Sequence, residues 1–312
     1  MSTDMPRPIE RILVATGLTP ESVGGVLIAH WLADKLDAKL HAVHVIEPIS
    51  AAAEKAVPGL AEAHEKNARE ELAVFARSHG LGSDVALDVV RGTPAQEIVN
   101  LRHDLGSDLL VIGRYGKGGL KRGRVGSIAD RLVRKFPVSV VVVPPEFRGQ
   151  YNTLAVASNF DEESDIGLRR AFELARTLGI DEILLLHSYL VPAGYNAVCS
   201  WADACRRIEA VSHEHAQETI ERVKADYPPD VSGPAVRVVI GEGPVSTKLA
   251  EMAAAEGVDL LVVSTHGRSG PAFMLLGQTT ERILNHATCS VWAEKSPALE
   301  QGILAVMREI LK

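Results

Sequence analysis

Asp108-Leu109-Leu110-Val111-Ile112-Gly113-Arg114-Tyr115-Gly116, resumed after nine residues by Gly126-Ser127, decides the fold of this chain. The apolar run shows no alternation, as in a parallel strand covered on both faces. Gly113 and Gly116 follow it; lacking a Cβ, they permit a sharp turn and the close approach of a ligand. Gly126-Ser127 then opens the amphipathic segment Ile128-Ala129-Asp130-Arg131-Leu132-Val133. A helix start carries free N–H groups and the positive end of the helix dipole, which attract phosphate. The loop between adds Lys117, Lys121, Arg122 and Arg124, so charge and geometry agree on an anionic ligand. A plainer account competes with this one. Gly-x-x-Gly is common after strands, and Ser127 with Asp130 has the form of an ordinary capping box.

Working outward, strand and helix patterns alternate on both sides of this stretch. Ile12–Thr16, Leu40–Ile46, Val85–Val90 and Val138–Val143 read as further strands. Helical patterns begin at Thr19-Pro20, near Pro58 and at Gly92-Thr93-Pro94. After Pro144-Pro145 and a short linker the pattern starts again. Strands are expected at Thr153–Ser158, Ile183–His187, Val236–Ile240, Asp259–Ser264 and Ser290–Ala293, with helices at Ser164–Leu178 and Trp201–Lys224. Asp108 and Asp259, Gly116 and Gly267, and Gly126 and Gly277 are each 151 residues apart, which marks an internal duplication. The fold expected is α/β: two tandem, doubly wound, parallel five-stranded sheets. The expected domains are 1–148 and 149–296, followed by an amphipathic helical tail over 297–312. Ligands of such sheets bind beyond the carboxyl ends of the strands, where the strand order reverses. In the first half that crevice is bounded by Thr16-Gly17, Val45 and Gly113 to Ser127.

Composition bounds the function. The chain has 312 residues, 46% hydrophobic and 23% charged, with a net charge of −7, so general nucleic-acid binding is not favoured. No apolar run is long enough to span a bilayer, and Met1 to Pro8 lacks a signal core, so a cytoplasmic protein without membrane partners is expected. Cys199, Cys205 and Cys289 form no disulfide framework.

Gly113, Gly116, Gly126 and Ser127, with their spacing, resemble the nucleotide-binding signature of the universal stress proteins. Ile12-Leu13-Val14-Ala15, Val43-His44-Val45-Ile46-Glu47, Gly92-x-Pro94-Ala95 and Gly118-Gly119-Leu120 resemble the same family. The likeness covers nearly the whole chain, twice. It implies the Rossmann-like, adenine nucleotide alpha hydrolase-like fold and a role in the stress response. It also implies an adenine nucleotide ligand, ATP or AMP, in some members with magnesium or manganese. By the resemblance, the main chain at Val45 touches adenine, and Ala15, Thr16 and Gly17 lie beside adenine and ribose. Gly113 and Gly116 line ribose and the first phosphate, Gly126, Ser127, Ile128 and Ala129 hold the phosphates, and Ile112, Arg114 and Lys117 complete the cofactor-binding set. It implies too that the Val138–Val143 strand pairs domains or subunits, giving a homodimer or an intramolecular pseudo-dimer.

The departures are specific. Gly17, and Asn159 in the second half, stand where the family often has an Asp. A lost buried carboxylate removes an acceptor worth roughly 1.5–3 kcal/mol. Weaker ATP binding or looser adenine preference is therefore expected in the first half. In the second, Ser264 replaces Gly113, Gln278 replaces Ser127, and the loop from Arg268 to Leu276 is apolar and holds one basic residue. That half is expected to have lost tight nucleotide binding.

Other patterns read as structure. His41 and His44 are expected to be structural, with His44 capping its strand. Cys199, Cys205, His213 and His215 lack zinc-module spacing. No catalytic constellation stands out, and Asp130 reads as a cap. The leading expectation is a nucleotide-binding regulatory protein whose first-half loop reports nucleotide state to unidentified protein partners. A slow ATPase, autokinase or nucleotidyl transferase, and a scaffold for a non-nucleotide ligand, are the alternatives.

Overall fold

The computed structural model describes residues 5–116, 125–147, 149–162, 164–228, 233–265 and 278–296. Two compact units result, Pro8–Gln150 and the residues from Tyr151 onward with the N-terminal residues through Arg7.

The first unit runs β1 (Arg11–Ala15), α1 (Pro20–Leu36), β2 (Lys39–Ile46), α2 (Ala51–Ala56), α3 (Leu60–Ser78), β3 (Ala86–Arg91), α4 (Pro94–Leu105), β4 (Leu109–Gly113), α5 (Ser127–Lys135) and β5 (Ser139–Val143). Its strands are parallel, in the order β3-β2-β1-β4-β5. The second unit runs β6 (Leu154–Ala157), α6 (Asp165–Leu178), β7 (Glu182–Tyr189), α7 (Trp201–Lys224), β8 (Ala235–Glu242), α8 (Val245–Ala255), β9 (Leu260–Ser264), α9 (Gln278–His286) and β10 (Ser290–Glu294). It repeats the parallel order as β8-β7-β6-β9-β10. The order switches direction between β1 and β4, and again between β6 and β9. Right-handed crossovers put α1 and α3 on one face of the first sheet and α4 and α5 on the other.

Valine, leucine and isoleucine fill the central strands because both faces are covered. Leu109, Leu110 and Val111 of β4 and Val140 to Val143 of β5 are fully buried. The two aspartates 151 residues apart have one job. Asp108 Oδ2 accepts from the main-chain N of Glu10 (3.1 Å) and Arg11 (3.0 Å). Asp259 Oδ2 accepts from Asn152 N (2.8 Å) and Thr153 N (3.0 Å). Each carboxylate therefore clamps the start of strand one against the start of strand four. In the second unit one buried cation organises the far end of the sheet. Arg170 forks onto Glu294 at 3.0 and 3.1 Å, reaches Glu173 at 2.9 Å and Arg7 O at 2.7 Å, and lies 5.5 Å over the Trp292 ring.

The structure changes several expectations. The short helix α2, capped by Ser50 through Ala53 N, was not foreseen. The helix expected from Pro58 begins at Leu60, because Gly59 (φ 86°) turns the chain first. Ser164 precedes α6 as its cap position rather than starting it. The tail over 297–312 lies outside the described residues. No helix among the described residues is long and apolar enough to cross a membrane.

Candidate functional site

A cleft of about 1040 Å³ opens at the carboxyl ends of β1, β2 and β4, at the switch point of the first unit. It is lined by Ala15, Thr16, Gly17, Val45, Ile112, Gly113, Arg114, Gly116, Gly126, Ser127, Ile128 and Ala129. Of the expected site residues Lys117 lies outside the described residues, as do Lys121, Arg122, Arg124 and the second-half loop over 266–277.

The anion-receptive end is the start of α5. Gly126 is its N-cap residue, and its carbonyl accepts the first helical hydrogen bond from Asp130 N at 2.9 Å. Gly126 N is already committed to Arg114 O at 2.8 Å. The N–H groups of Ser127, Ile128 and Ala129 thus have no intrahelical acceptor, and no side chain caps them. Ser127 and Ile128 are exposed at this end. This overturns the capping-box expectation: Ser127 lies inside the helix, and Asp130 binds Arg134 through both carboxylate oxygens at 3.1 Å.

Gly113 and Gly116 prove to have different roles. A Cβ on Gly116 would meet no atom of a described residue within 4 Å, so packing among these does not require a glycine there. A Cβ on Gly113 would sit 2.9 Å from Glu21 O and 3.3 Å from Ser22 Cα. Gly25 of α1 faces it, its own Cβ position 3.1 Å from Gly113 N. Gly113 is therefore needed by the approach of α1 to β4, and it also lines the cleft.

Thr16 also turns out to be occupied. Ser22 Oγ donates to Thr19 O (2.8 Å), so the Thr16 hydroxyl donates to Ser22 Oγ (2.9 Å) while accepting from Leu18 N (3.1 Å). These bonds fix a turn in which Leu18 takes φ 57°, a conformation uncommon outside glycine. Thr16 O accepts from Nδ1 of the buried His44 at 2.8 Å. His44 thus sits inside β2 rather than capping it, in the structural role expected, and His41 pairs with Asp88 at 2.8 Å. The second unit repeats the turn with Ser158, Ser164, Phe160 (φ 66°) and His187.

Val45 contributes its main chain. Thr16 N donates to Val43 O at 3.0 Å, so Val43 bonds toward β1 and Val45, of the same parity, faces the same way. The strand that would pair it has ended at Ala15. Its N–H and C=O are turned to the cleft.

Sequence reasoning missed one wall of this cleft. Glu47, His64, Asn67, Ala68 and Glu71 line it, with Tyr115 and, on the opposite face, Pro94 and Ile98. The signal was there: positions 64, 67, 68 and 71 share one helical stripe beside the buried Ala68 and Leu72.

The residues of the second unit that match this lining differ from it. Thr265 stands for Arg114 and turns its hydroxyl to Glu294 O (3.0 Å). Ser264 stands for Gly113 and donates to Ser164 O (3.2 Å). Thr280 stands for Ala129 and donates to Ser264 O (3.3 Å). The Phe160 ring packs on His187 at 4.2 Å, and burial pushes the His187 imidazole below its usual pKa. Among the described residues no cluster of three His, Cys, Asp or Glu side chains could hold a metal ion.

Two tandem doubly wound α/β domains, the first with a cleft at its switch point, define the class of protein. The model of the universal stress protein family matches residues 8–144 and again 150–294. The chain belongs to the universal stress protein family. A universal stress protein of Mycolicibacterium smegmatis is 27% identical over 294 residues, covering 90% of this chain and 95% of its own. One of Mycobacterium tuberculosis is 29% identical over 238 residues, 70% of this chain and 73% of its own. Among solved structures, a universal stress protein of Archaeoglobus fulgidus matches with TM-score 0.60 at 16% identity, over 91% of this chain and 98% of its own. Another structure is a universal stress protein in complex with cAMP, matched over 46% of this chain and 96% of its own at 23% identity and TM-score 0.32.

Proposed function

We propose that the first-unit cleft binds an adenine nucleotide, ATP or AMP, and that the protein is a nucleotide-responsive regulator. The observation that carries this is the start of α5. Three N–H groups without intrahelical acceptors and the exposed Ser127 converge on a cleft that Gly116 also lines. Such a helix start suits phosphate. The edge of Val45 offers a donor and an acceptor at the other end, suited to a base. Thr16 and Gly113 also serve the scaffold, and Ser127, Ile128, Ala129 and Gly116 are the residues that would hold phosphate. The second unit, with Thr265 for Arg114 and hydroxyls turned inward onto its own backbone, is proposed to bind nucleotide weakly or not at all.

Isothermal titration of the full chain with ATP tests this. Ser127→Ala removes one hydrogen bond to a charged group and is expected to weaken binding by about tenfold. Gly116→Val is expected to weaken it further by filling the cleft. Absence of binding at millimolar ATP, or unchanged affinity in both variants, would remove the assignment.

A further inference from the structure

The wall formed by α3 is not explained by an anion site. His64, Asn67 and Glu71 face the cleft along one stripe of the helix, and Glu47 follows the end of β2 on the same side. None of these four side chains makes a hydrogen bond or ion pair with a described residue. The neighbouring stripe of α3 contrasts with this, because its Glu65 is bound by both Arg69 and Arg91. Glu47 and Glu71 are the only carboxylates on the described lining of the cleft, since Gly17 supplies none after β1.

The strand order fixes where this wall stands. α5 starts beyond β4, whereas α3 leaves β2 for β3, on the far side of β1. A ligand with its phosphate on Ser127 to Ala129 spans Gly113 and Gly17. Its other end then reaches the Val45 edge, between Pro94 and Ile98 on one face of the sheet and α3 on the other. Carboxylates accept hydrogen bonds and donate none. They attract an N–H edge, and they repel a carbonyl oxygen placed at the same point.

We infer that Glu47 and Glu71, with Asn67 beside them, read the base, so that this cleft selects nucleotides whose base carries an exocyclic amino group. This rests on the nucleotide reading of the cleft. It assigns base selection to α3 and the end of β2, and it gives the acceptor absent at Gly17 a replacement on another element.

The test compares ATP with purine riboside triphosphate, which lacks only the amino group. Both are titrated calorimetrically into the full chain as wild type, as the Glu47→Ala/Glu71→Ala double variant and as Ser127→Ala. Wild type is expected to favour ATP by about tenfold, the worth of one charge-assisted hydrogen bond. The double variant is expected to bring that ratio within about twofold, with an unchanged melting temperature because neither carboxylate has a partner among the described residues. Ser127→Ala is expected to weaken both nucleotides together and leave the ratio intact. Equal wild-type affinities would overturn the inference while leaving the nucleotide site standing. A ratio that survives in the double variant would overturn it too, placing selection on the Val45 edge. If neither nucleotide binds at millimolar concentration, the nucleotide site and this inference fall together.

Discussion

Two glycines three residues apart should fail in opposite ways when given a side chain. Gly113→Ala places a methyl group 2.9 Å from Glu21 O and 3.3 Å from Ser22 Cα. Both are backbone atoms, so no side chain can swing aside. The first turn of α1 is also held by the Thr16–Ser22–Thr19 hydrogen bonds at 2.9 and 2.8 Å, and α1 packs so closely on β4 that a Cβ on Gly25 would sit 3.1 Å from Gly113 N. The helix must therefore shift as a body or the strand must bend. Overpacking of this kind costs about 1–3 kcal/mol. In a unit of this size that corresponds to a fall in melting temperature of roughly 3–12 °C.

The second unit shows what room is needed. There Ser264 carries a side chain at the matching position, and a Cβ built on Gly167 of α6 would sit 3.7 Å from Ser264 N where one built on Gly25 would sit 3.1 Å from Gly113 N. Gly116→Val meets no atom of a described residue within 4 Å of its Cβ and should change stability by less than about 0.5 kcal/mol. Its cost should appear in ATP affinity, as a loss of tenfold or more. Differential scanning calorimetry and ATP titration on the same three proteins read both quantities. If Gly113→Ala melts within 1 °C of wild type, or if Gly116→Val melts as low as Gly113→Ala, the division of labour between the two glycines is wrong.

Removing either aspartate clamp should destabilise its own unit. Asp108→Ala and Asp259→Ala each strip two main-chain N–H groups of their acceptor, and a cost of about 1–2 kcal/mol apiece is expected in urea unfolding. The second unit should also lose stability as pH rises toward neutrality. Burial raises the Glu173 carboxyl to about 7 and repulsion from Glu294 adds to this, with Arg170 opposing; Glu294 already holds the Arg170 fork. In the unfolded chain Glu173 titrates near 4.5, so between those values the native state keeps a proton that the unfolded chain has released. That contribution is whole below pH 4.5 and is lost as pH climbs through 7. Glu173→Gln, which imitates the protonated acid, should flatten the decline between pH 5 and 7 by an amount of order 1–3 kcal/mol. A decline of equal slope in the variant would assign the effect to another group. Lys295, lowered to about 7 by burial, acts in the opposite sense above neutrality and does not mask this window.

Most of the fold was legible because a doubly wound sheet leaves coarse marks. Its central strands are unbroken apolar runs, its helices begin after Gly, Thr and Pro, and the duplication prints each mark twice. What was illegible had physical reasons. α2 buries nothing, so it left no apolar stripe to find. The α3 wall uses His, Asn and Glu, the residue types of any solvated helix face; only the folded sheet shows that this face looks into a cleft. Ser127 looked like a cap because a Ser three residues before an Asp has that form. The helix instead starts one residue earlier than a Ser127 cap requires, with the Gly126 carbonyl receiving its first bond. Gly113 was ambiguous in principle, since a ligand and a helix both call for a missing Cβ.

The two halves serve as controls on each other, and they divide the cleft into scaffold and ligand surface. The Asp clamp, the hydroxyl turn with its left-handed residue, and the histidine on the carbonyl that ends strand one occur in both units with matching bonds. The second unit keeps all of this without Arg114 or Ser127, so these features follow from building the sheet and its first crossover. Thr16 and His44 therefore serve the frame as well as lining the cleft. The differences concentrate on the cleft surface itself. Thr265 replaces the one described basic residue of the first loop, Thr280 fills what Ala129 leaves open, and Ser212, His215 and Thr219 of α7 fall where α3 has His64, Asn67 and Glu71 when Ala216 and Ile220 are matched to the buried Ala68 and Leu72. Both the helix start and the α3 wall thus change together between the units, while the frame that carries them does not. Residues tied to one ligand should vary as a set in this way, and residues of the frame should not.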